Sequence, residues 1–130
     1  MTDSDETEAI KLANLEFYQA FESLDMERMT GVWAQDESVK CVHPGWPILE
    51  GWEHVALSWQ RIFDNAAAMQ FTITGANVVL EGDWAWVTCT ENLISVVDGR
   101  VTEGRVQATN IFKRHGEQWL MVHHHGSPTI

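Results

Sequence analysis

Two tight turns in the second half of the chain constrain its fold more than any other feature. Asp98-Gly99 separates two stretches rich in Val, Thr, Ile and Trp, namely Trp84 to Val97 and Arg100 to Arg114. Both central positions of a type I′ turn need positive φ, which Asp and Gly tolerate, so this pair predicts a two-residue hairpin. His115-Gly116 is a weaker signal of the same kind and predicts a second hairpin, with a last strand from Glu117 to His125.

Two-residue loops fix which residues pair across the strands, and directly paired residues share a face of the sheet. We counted back from the pairs Val97–Arg100 and Arg114–Glu117. One predicted face carries the rows Ala85–Phe112–Trp119, Val87–Asn110–Met121, Cys89–Ala108–His123 and Glu91–Val106–His125. The other carries Trp86–Ile111–Leu120, Thr88–Thr109–Val122 and Thr90–Gln107–His124.

The first of these faces is apolar at one end and gathers polar side chains at the other. Glu91, Asn110, His123 and His125 all fall at the polar end. An apolar surface with a few convergent polar groups is typical of a ligand pocket, so we expect these four side chains to face one cavity. His124 is then expected to point away. A half-buried sheet with polar ends is the alternative, and a one-residue slip would invert the faces.

The first half of the chain is predicted to be mostly helical. Apolar residues recur at helical spacing from about Glu6 to Leu24, with Tyr18 beside the stripe. Asp25 is a candidate N-cap for a short second helix. The same spacing predicts a third helix from Trp52 to about Asn65. The acidic residues 1–7 are expected to fray.

Strand signals surround the third predicted helix. Ser38 to His43 is predicted as a short strand, followed by the rigid loop Pro44-Gly45-Trp46-Pro47. Met69 to Thr74 and Ala76 to Leu80 are predicted strand, with a bulge or bend at Gly75 between them. Helices that precede a run of antiparallel strands indicate an α+β domain, and 130 residues suit one domain spanning 1–130.

The charge and composition of the sequence limit the kinds of molecule that the protein is expected to bind and the compartment in which it is expected to lie. A formal net charge of −11 argues against binding to nucleic acid or to anionic membranes. Cys41 and Cys89 are expected to be buried free thiols, and the sequence shows neither a leader pattern nor a long apolar run. We therefore expect a cytoplasmic protein.

Four stretches together carry a resemblance to a known family. They are Leu24 to Trp33, Val42-His-Pro-Gly45, Leu49-Glu-Gly-Trp52 and Asn110 to Ser127. In these stretches the chain resembles the SnoaL-like branch of the nuclear transport factor 2-like superfamily. The closing pattern, a Trp followed by Val-His-x-His-x-Ser, is the most specific and is similar to the association domain of calcium/calmodulin-dependent protein kinase II. The resemblance implies a cone-shaped, cystatin-like barrel, with three N-terminal helices packed on a curved, mostly antiparallel sheet. It also implies a pocket between helices and sheet, and a homodimer through the outer sheet face.

The resemblance also bears on the site. Two arginines of the association-domain pocket fall on Glu91 and Asn110, neither of which is basic. The ketosteroid isomerase branch uses a first-helix tyrosine and two acidic residues. Phe17 lies near the tyrosine position, and no carboxylate lies near that of the catalytic base, so this activity is not implied.

Three functions remain open from the sequence. The first is binding of a compact, largely apolar small molecule in an enclosed pocket, without a cofactor. The second is acid–base catalysis by an isomerase or dehydratase, in which Glu91 acts with His123 or His125. The third is oligomerisation through Trp86, Ile111 and Leu120. A zinc or iron site on His123, His125 and Glu91 is disfavoured, since strand histidines are more often simply hydrogen-bonded. The expected pocket residues are Tyr18, His43, Trp46, Trp59, Cys89, Glu91, Asn110, Met121, His123 and His125.

Overall fold

The structure, a computed structural model, describes residues 2–129. It has the predicted α+β fold, in which three helices pack on a mostly antiparallel sheet, and the sheet has six strands. The helices are α1 (Asp3–Ser23), α2 (Met26–Val32) and α3 (Trp52–Asn65). The strands are β1 (Lys40–Val42), β2 (Leu49–Glu50), β3 (Ala68–Glu81), β4 (Trp84–Val97), β5 (Arg100–His115) and β6 (Gln118–Pro128).

Helix α1 begins earlier than expected. Of the residues 1–7 expected to fray, Met1 lies outside the described residues and 3–7 are helical. The reason is a capping box: the Thr2 hydroxyl accepts the Asp5 N–H at 3.1 Å, and the Asp5 carboxylate accepts the Thr2 N–H at 3.3 Å. Glu6 then ties this end of the helix to the sheet, because its carboxylate meets the Arg114 guanidinium at 2.8 Å.

The other helices follow their sequence signals. The Asp25 carboxylate accepts the Glu27 N–H at 2.9 Å and caps α2, as predicted. Helix α3 has the predicted bounds and buries one stripe against the sheet, including Val55, Trp59 and Phe63. Among the described residues, no helix is long and apolar enough to cross a membrane.

The sheet has the order β2-β1-β6-β5-β4-β3, with β1 parallel to β6 and the other neighbours antiparallel. It is open, with edges at β2 and β3, so the expected barrel does not close. The predicted interruption at Gly75 is confirmed, since pairing between β3 and β4 shifts between Thr74 and Asn77.

The hairpin β4–β5 has the predicted register throughout. Val97 pairs with Arg100, and the ladder continues without a shift to Trp84–Lys113. Asp98 and Gly99 have φ of 52° and 74°, as a type I′ turn requires. The predicted pairs that bring Asn110 and Glu91 to one face are therefore confirmed.

The predicted register of the hairpin β5–β6 is wrong at two places. The loop is Gly116-Glu117 instead of His115-Gly116, because Gly116 alone has positive φ, at 65°, as the first position of a type II′ turn requires. Relative to the predicted pairing, β6 is shifted along β5 by two residues. A shift by an even number leaves each residue of β6 on its predicted face of the sheet. Phe112 then pairs with Met121 but Ile111 pairs with His123, so Val122 is an extra residue in the ladder.

That single extra residue inverts the rest of β6, because side chains alternate with period two. His124 pairs with Asn110 and is 1% exposed, so it faces the helices. His123 and His125 point to the outer face, where His125 is exposed. The expectation that these two histidines line the interior and that His124 points away is therefore wrong.

Candidate functional site

Five buried polar side chains form a continuous hydrogen-bonded chain between α1 and the inner face of the sheet. The Tyr18 hydroxyl donates to Glu91 Oε2 at 2.6 Å. Asn110 Nδ2 donates to the Tyr18 oxygen at 3.1 Å and to Asn14 Oδ1 at 2.9 Å. Asn110 Oδ1 lies 2.6 Å from His124 Nδ1. We refer to Glu91, Tyr18, Asn14, Asn110 and His124 as the buried polar chain.

Local structure brings these groups together from four elements. Asn14 and Tyr18 are four residues apart on α1 and so share its buried face. Glu91 and Asn110 project inward from β4 and β5 at positions that the first hairpin fixes. The Val122 bulge turns His124 inward to meet them.

The amide of Asn110 fixes the direction in which the hydrogen bonds of the buried polar chain are donated. Its nitrogen only donates and its oxygen only accepts, so His124 carries a proton on Nδ1. Tyr18 receives the amide N–H, and its own proton goes to Glu91. Glu91 is therefore the acceptor at the end of the chain.

Glu91 is the member of the chain that changes charge near neutral pH. Burial raises the pKa of its carboxyl to about 7, partly offset by the hydrogen bond from Tyr18. Burial, and then the neighbouring Glu91, raise the pKa of the Tyr18 hydroxyl, which stays protonated. Burial lowers the pKa of His124 well below its ordinary value, so its imidazole is neutral.

A second buried group surrounds His43. Ser58 donates to the Val55 carbonyl at 2.6 Å and therefore accepts from His43 Nε2 at 2.9 Å. Burial lowers the pKa of His43 to about 4 and raises that of the nearby Cys41 thiol. A neutral imidazole beside a protonated thiol is a packing arrangement and lacks an activated nucleophile.

Aromatic rings fill the space between these groups. The Trp59 ring lies 4.6 Å from His43 and 6.0 Å from His124, measured between centroids. Phe17 lies 4.9 Å from His124, and Phe71 lies 5.4 Å from Tyr18. Within residues 2–129, the protein's own side chains therefore fill the space in which a pocket was expected.

Eight of the ten expected pocket residues do converge on this interior. Seven of them are buried and Trp46 is half-buried against the His43 ring at 5.0 Å. The seven are Tyr18, His43, Trp59, Cys89, Glu91, Asn110 and Met121. His123 and His125 lie on the opposite face, as the bulge dictates.

Comparison with known proteins supplies the family. A model of the SnoaL-like domain matches residues 10–130. The chain belongs to the SnoaL-like domain family. The F-box protein SKIP8 of Arabidopsis thaliana is 33% identical over 121 residues, which are 93% of this chain and 50% of that protein. This SnoaL-like domain therefore spans about half the length of that relative.

Two solved structures are similar in both sequence and fold. A candidate dehydratase of the nuclear transport factor 2-like family from Streptomyces avermitilis is 38% identical, with a TM-score of 0.93 and 99% of each chain covered. A candidate calcium/calmodulin-dependent protein kinase type II association domain from Thiobacillus denitrificans is 31% identical, with a TM-score of 0.82. That match covers 92% of this chain and 94% of the other.

The metal arrangement considered from the sequence does not form in this SnoaL-like domain. His123 and His125 lie on the outer face of the sheet, whereas Glu91 lies on the inner face. Across residues 2–129, no three His, Cys, Asp or Glu side chains are grouped to hold a metal ion.

Sequence reasoning missed three of the polar residues in these two buried groups, Asn14, Ser58 and His124. Asn14 and Ser58 each interrupt an apolar helical stripe, between Ile10 and Phe17 and between Val55 and Trp59. A polar residue at a core position needs a buried partner, and that signal was available. His124 was missed for a different reason, because the bulge that turns it inward has no comparable local mark.

Proposed function

We propose that this SnoaL-like domain binds a compact, largely apolar small molecule between α1 and the inner sheet face, and that Glu91 exchanges a proton with it. The observation that carries the proposal is the burial of Glu91, a residue that is 3% exposed and whose carboxyl has its pKa raised by that burial to about 7. A group that titrates near the ambient pH is best suited to general acid–base catalysis. The reaction class is that of an isomerase or dehydratase.

The ligand would approach from the side of Glu91 that faces away from Asn110. There the inner face is half-buried and apolar, with Ile73 paired to Glu91 and Phe71 paired to Leu93. Gly104, which pairs with Leu93, leaves open space where a Cβ would lie. Movement of the Phe71 ring would admit an apolar body and leave its polar group at Glu91.

Glu91 would act as a base that takes a proton from a carbon next to a carbonyl group. As an acid it would return that proton to another carbon in an isomerase, or to the departing hydroxyl, which leaves as water, in a dehydratase. The Tyr18 hydroxyl keeps Glu91 oriented through Oε2, which leaves Oε1 for the ligand. The similarity to a candidate dehydratase at 38% identity supports this class of reaction.

The test combines a binding screen with proton exchange. Small acids, alcohols and amides are screened by thermal shift, and compounds that raise the melting temperature are incubated in D2O and followed by 1H NMR. We expect exchange at one carbon position, lost in Glu91→Gln and retained in His125→Ala, which alters only the outer face. Absence of any stabilising compound would contradict binding, while binding without exchange would contradict the acid–base role.

A second function has its own support on the outer face. Trp84 and Trp86 are 46% and 37% exposed, and Val79, which pairs with Trp86, is 37% exposed. Trp86 pairs with Ile111 as predicted, whereas Leu120 pairs with Lys113. We propose that this apolar patch mediates a homodimer, since exposed patches of this kind mark interaction sites.

Light scattering tests the homodimer. Trp86→Glu should give a monomer at micromolar concentration, whereas Leu57→Glu on α3, where Leu57 is 63% exposed, should leave the mass of a dimer. A wild-type monomer would contradict the proposal.

We also propose a cytoplasmic location, because two buried free cysteines, Cys41 and Cys89, suit a reducing compartment. Cell fractionation tests it, and recovery with secreted proteins would contradict it.

A further inference from the structure

Every polar atom of the Asn110 side chain has a partner in the buried polar chain. The residue is 0% exposed, its nitrogen serves both Tyr18 and Asn14, and its oxygen serves His124. Reversing this amide would require Asn14 and His124 to reverse as well, because buried donors must face acceptors. It would also turn the Tyr18 proton away from Glu91.

We infer that Asn110 is a positioning residue whose amide fixes the direction of the buried polar chain and so holds the Tyr18 proton on Glu91. The inference rests on the proposed acid–base role of Glu91 and adds a residue that acts on it through another. Asn110 does not touch the carboxyl in any hydrogen bond, so its effect must pass through the Tyr18 hydroxyl.

The Tyr18 hydroxyl also contacts a second polar group, so the direction of its proton matters. Cys89 Sγ lies 3.5 Å from the hydroxyl oxygen, compared with 2.6 Å for Glu91 Oε2. A hydroxyl that receives an N–H donates its own proton more strongly, since hydrogen bonds in a chain reinforce one another. The donation favours the carboxylate and lowers the pKa of Glu91 against the effect of burial.

The surroundings of Glu91 leave this hydrogen bond as its main support. The titratable groups that bear on it are Tyr18 from α1, Cys89 from β4 and Cys41 from β1, all of them uncharged near neutral pH. At its level β3 and β5 contribute Ile73 and Val106, which are apolar.

The experiment measures the titration midpoint of Glu91 by 13C NMR, with the resonance assigned by its loss in Glu91→Gln. The variants are Asn110→Asp, Tyr18→Phe and the two combined. An ionised Asp at position 110 only accepts, so it competes for the Tyr18 proton, and we expect the midpoint to rise by about one pH unit. In the Tyr18→Phe background the same substitution should move the midpoint by less than half as much, leaving only repulsion between the two carboxylates.

Asn14→Asp is the matched control, because it adds the same charge beside the chain but keeps position 14 as the acceptor of the Asn110 N–H. It should move the midpoint less than Asn110→Asp does. If Asn110→Asp does not fold, Asn110→Leu removes the donor without adding charge, and a smaller rise is expected only while Tyr18 is present. An unchanged midpoint, or an equal rise with and without the Tyr18 hydroxyl, would overturn the inference.

The same titration separates this inference from the proposed function. A wild-type midpoint near the ordinary glutamate value of about 4.3 would contradict the acid–base role of Glu91. The differences between variants would still measure whether Asn110 acts through Tyr18.

Discussion

The hairpins β4–β5 and β5–β6 share strand β5, yet the first is regular and the second contains a bulge at Val122. The regular ladder keeps every second residue of β4 inside, which places Glu91 in the interior. In β6, Met121 and His124 both face inward although they are three residues apart. The interior acid therefore comes from a regular strand and the interior histidine from an irregular one.

This difference shows how a bulge selects one of three consecutive histidines. Bulges re-aim side chains at the cost of one unpaired residue, and they are common next to functional sites. Here the bulge gives His124 to the buried polar chain and leaves His123 and His125 outside.

Truncating His124 and, for comparison, His125 gives the largest expected difference in stability and tests the bulge that distinguishes the second hairpin from the first. His124→Ala should lower the free energy of unfolding by about 3 kcal/mol, because it creates a cavity and leaves the Asn110 oxygen unpaired. His125→Ala should change it by less than about 0.5 kcal/mol, as an exposed substitution does. Urea denaturation measures both, and a larger loss for His125→Ala would restore the regular register.

Glu91 in the first hairpin and His124 in the second should make the free energy of unfolding depend on pH in opposite directions. Glu91 binds its proton more tightly when folded, so its contribution to stability is full below about pH 4.3 and is lost as the pH rises through about 7. The pKa of His124 is lowered by folding, so its contribution is lost as the pH falls.

Glu91→Gln isolates the first of these terms. As the pH rises from 5 to 8, the wild type should lose the contribution of Glu91, whereas the variant has none to lose. The free energy of unfolding of the variant minus that of the wild type should therefore increase by roughly 2 kcal/mol over this range. Urea denaturation at several pH values gives the difference, and parallel curves for the two proteins would contradict the buried acid.

The glycines of the two hairpins offer a smaller contrast. A Cβ at Gly126 on β6 would lie 3.0 Å from Val106 Cγ1 and 3.3 Å from Pro44 Cγ, so Gly126→Ala should destabilise by about 1–2 kcal/mol. Gly104 on β5 has nothing within 4 Å of such a Cβ, so Gly104→Ala should be neutral or slightly stabilising. Thermal melts compare the two, and equal effects would contradict the close approach at Gly126.

Substitutions at the two turns should have the smallest effects on stability, and the two effects should have opposite signs. Asp98 has φ of 52° in a type I′ turn, so Asp98→Asn should stabilise by about 0.3 kcal/mol, since Asn-Gly suits this turn best. His115 is a strand residue paired with Gln118, so His115→Asn should be slightly destabilising. Stabilisation by His115→Asn would place His115 in the loop.

Much of the fold follows from local signals. The Asp98-Gly99 turn fixes the whole β4–β5 register, and the periodic apolar residues fix the bounds of α3. Both signals can be read from the sequence because they depend only on residues that are near one another along it. Val122 carries no comparable mark, as valine is an ordinary strand residue. Its bulge is set by tertiary contacts: the Ala34 N–H bonds the Met121 carbonyl at 3.0 Å, and β1 pairs Lys40 with His123.

The same division applies to the candidate site. Glu91 and Asn110 were placed together from the sequence because the first hairpin alone determines their rows. The partner from β6 was misassigned because one unforeseen residue reverses a face. Tyr18 is an expected pocket residue because it lies beside the helical stripe, but its bond to Glu91 depends on how α1 packs on the sheet and is not predicted by the sequence.

The state of the His124 imidazole tests the central claim most directly, because it reports both the bulge and the direction of the buried polar chain. Long-range 15N–1H NMR identifies which ring nitrogen carries the proton. We expect His124 to be neutral, with its proton on Nδ1, from about pH 5 to pH 8, since it is buried and donates to Asn110. A His124 ring that titrates near its ordinary pKa of about 6.5, or that carries its proton on Nε2, would contradict the account.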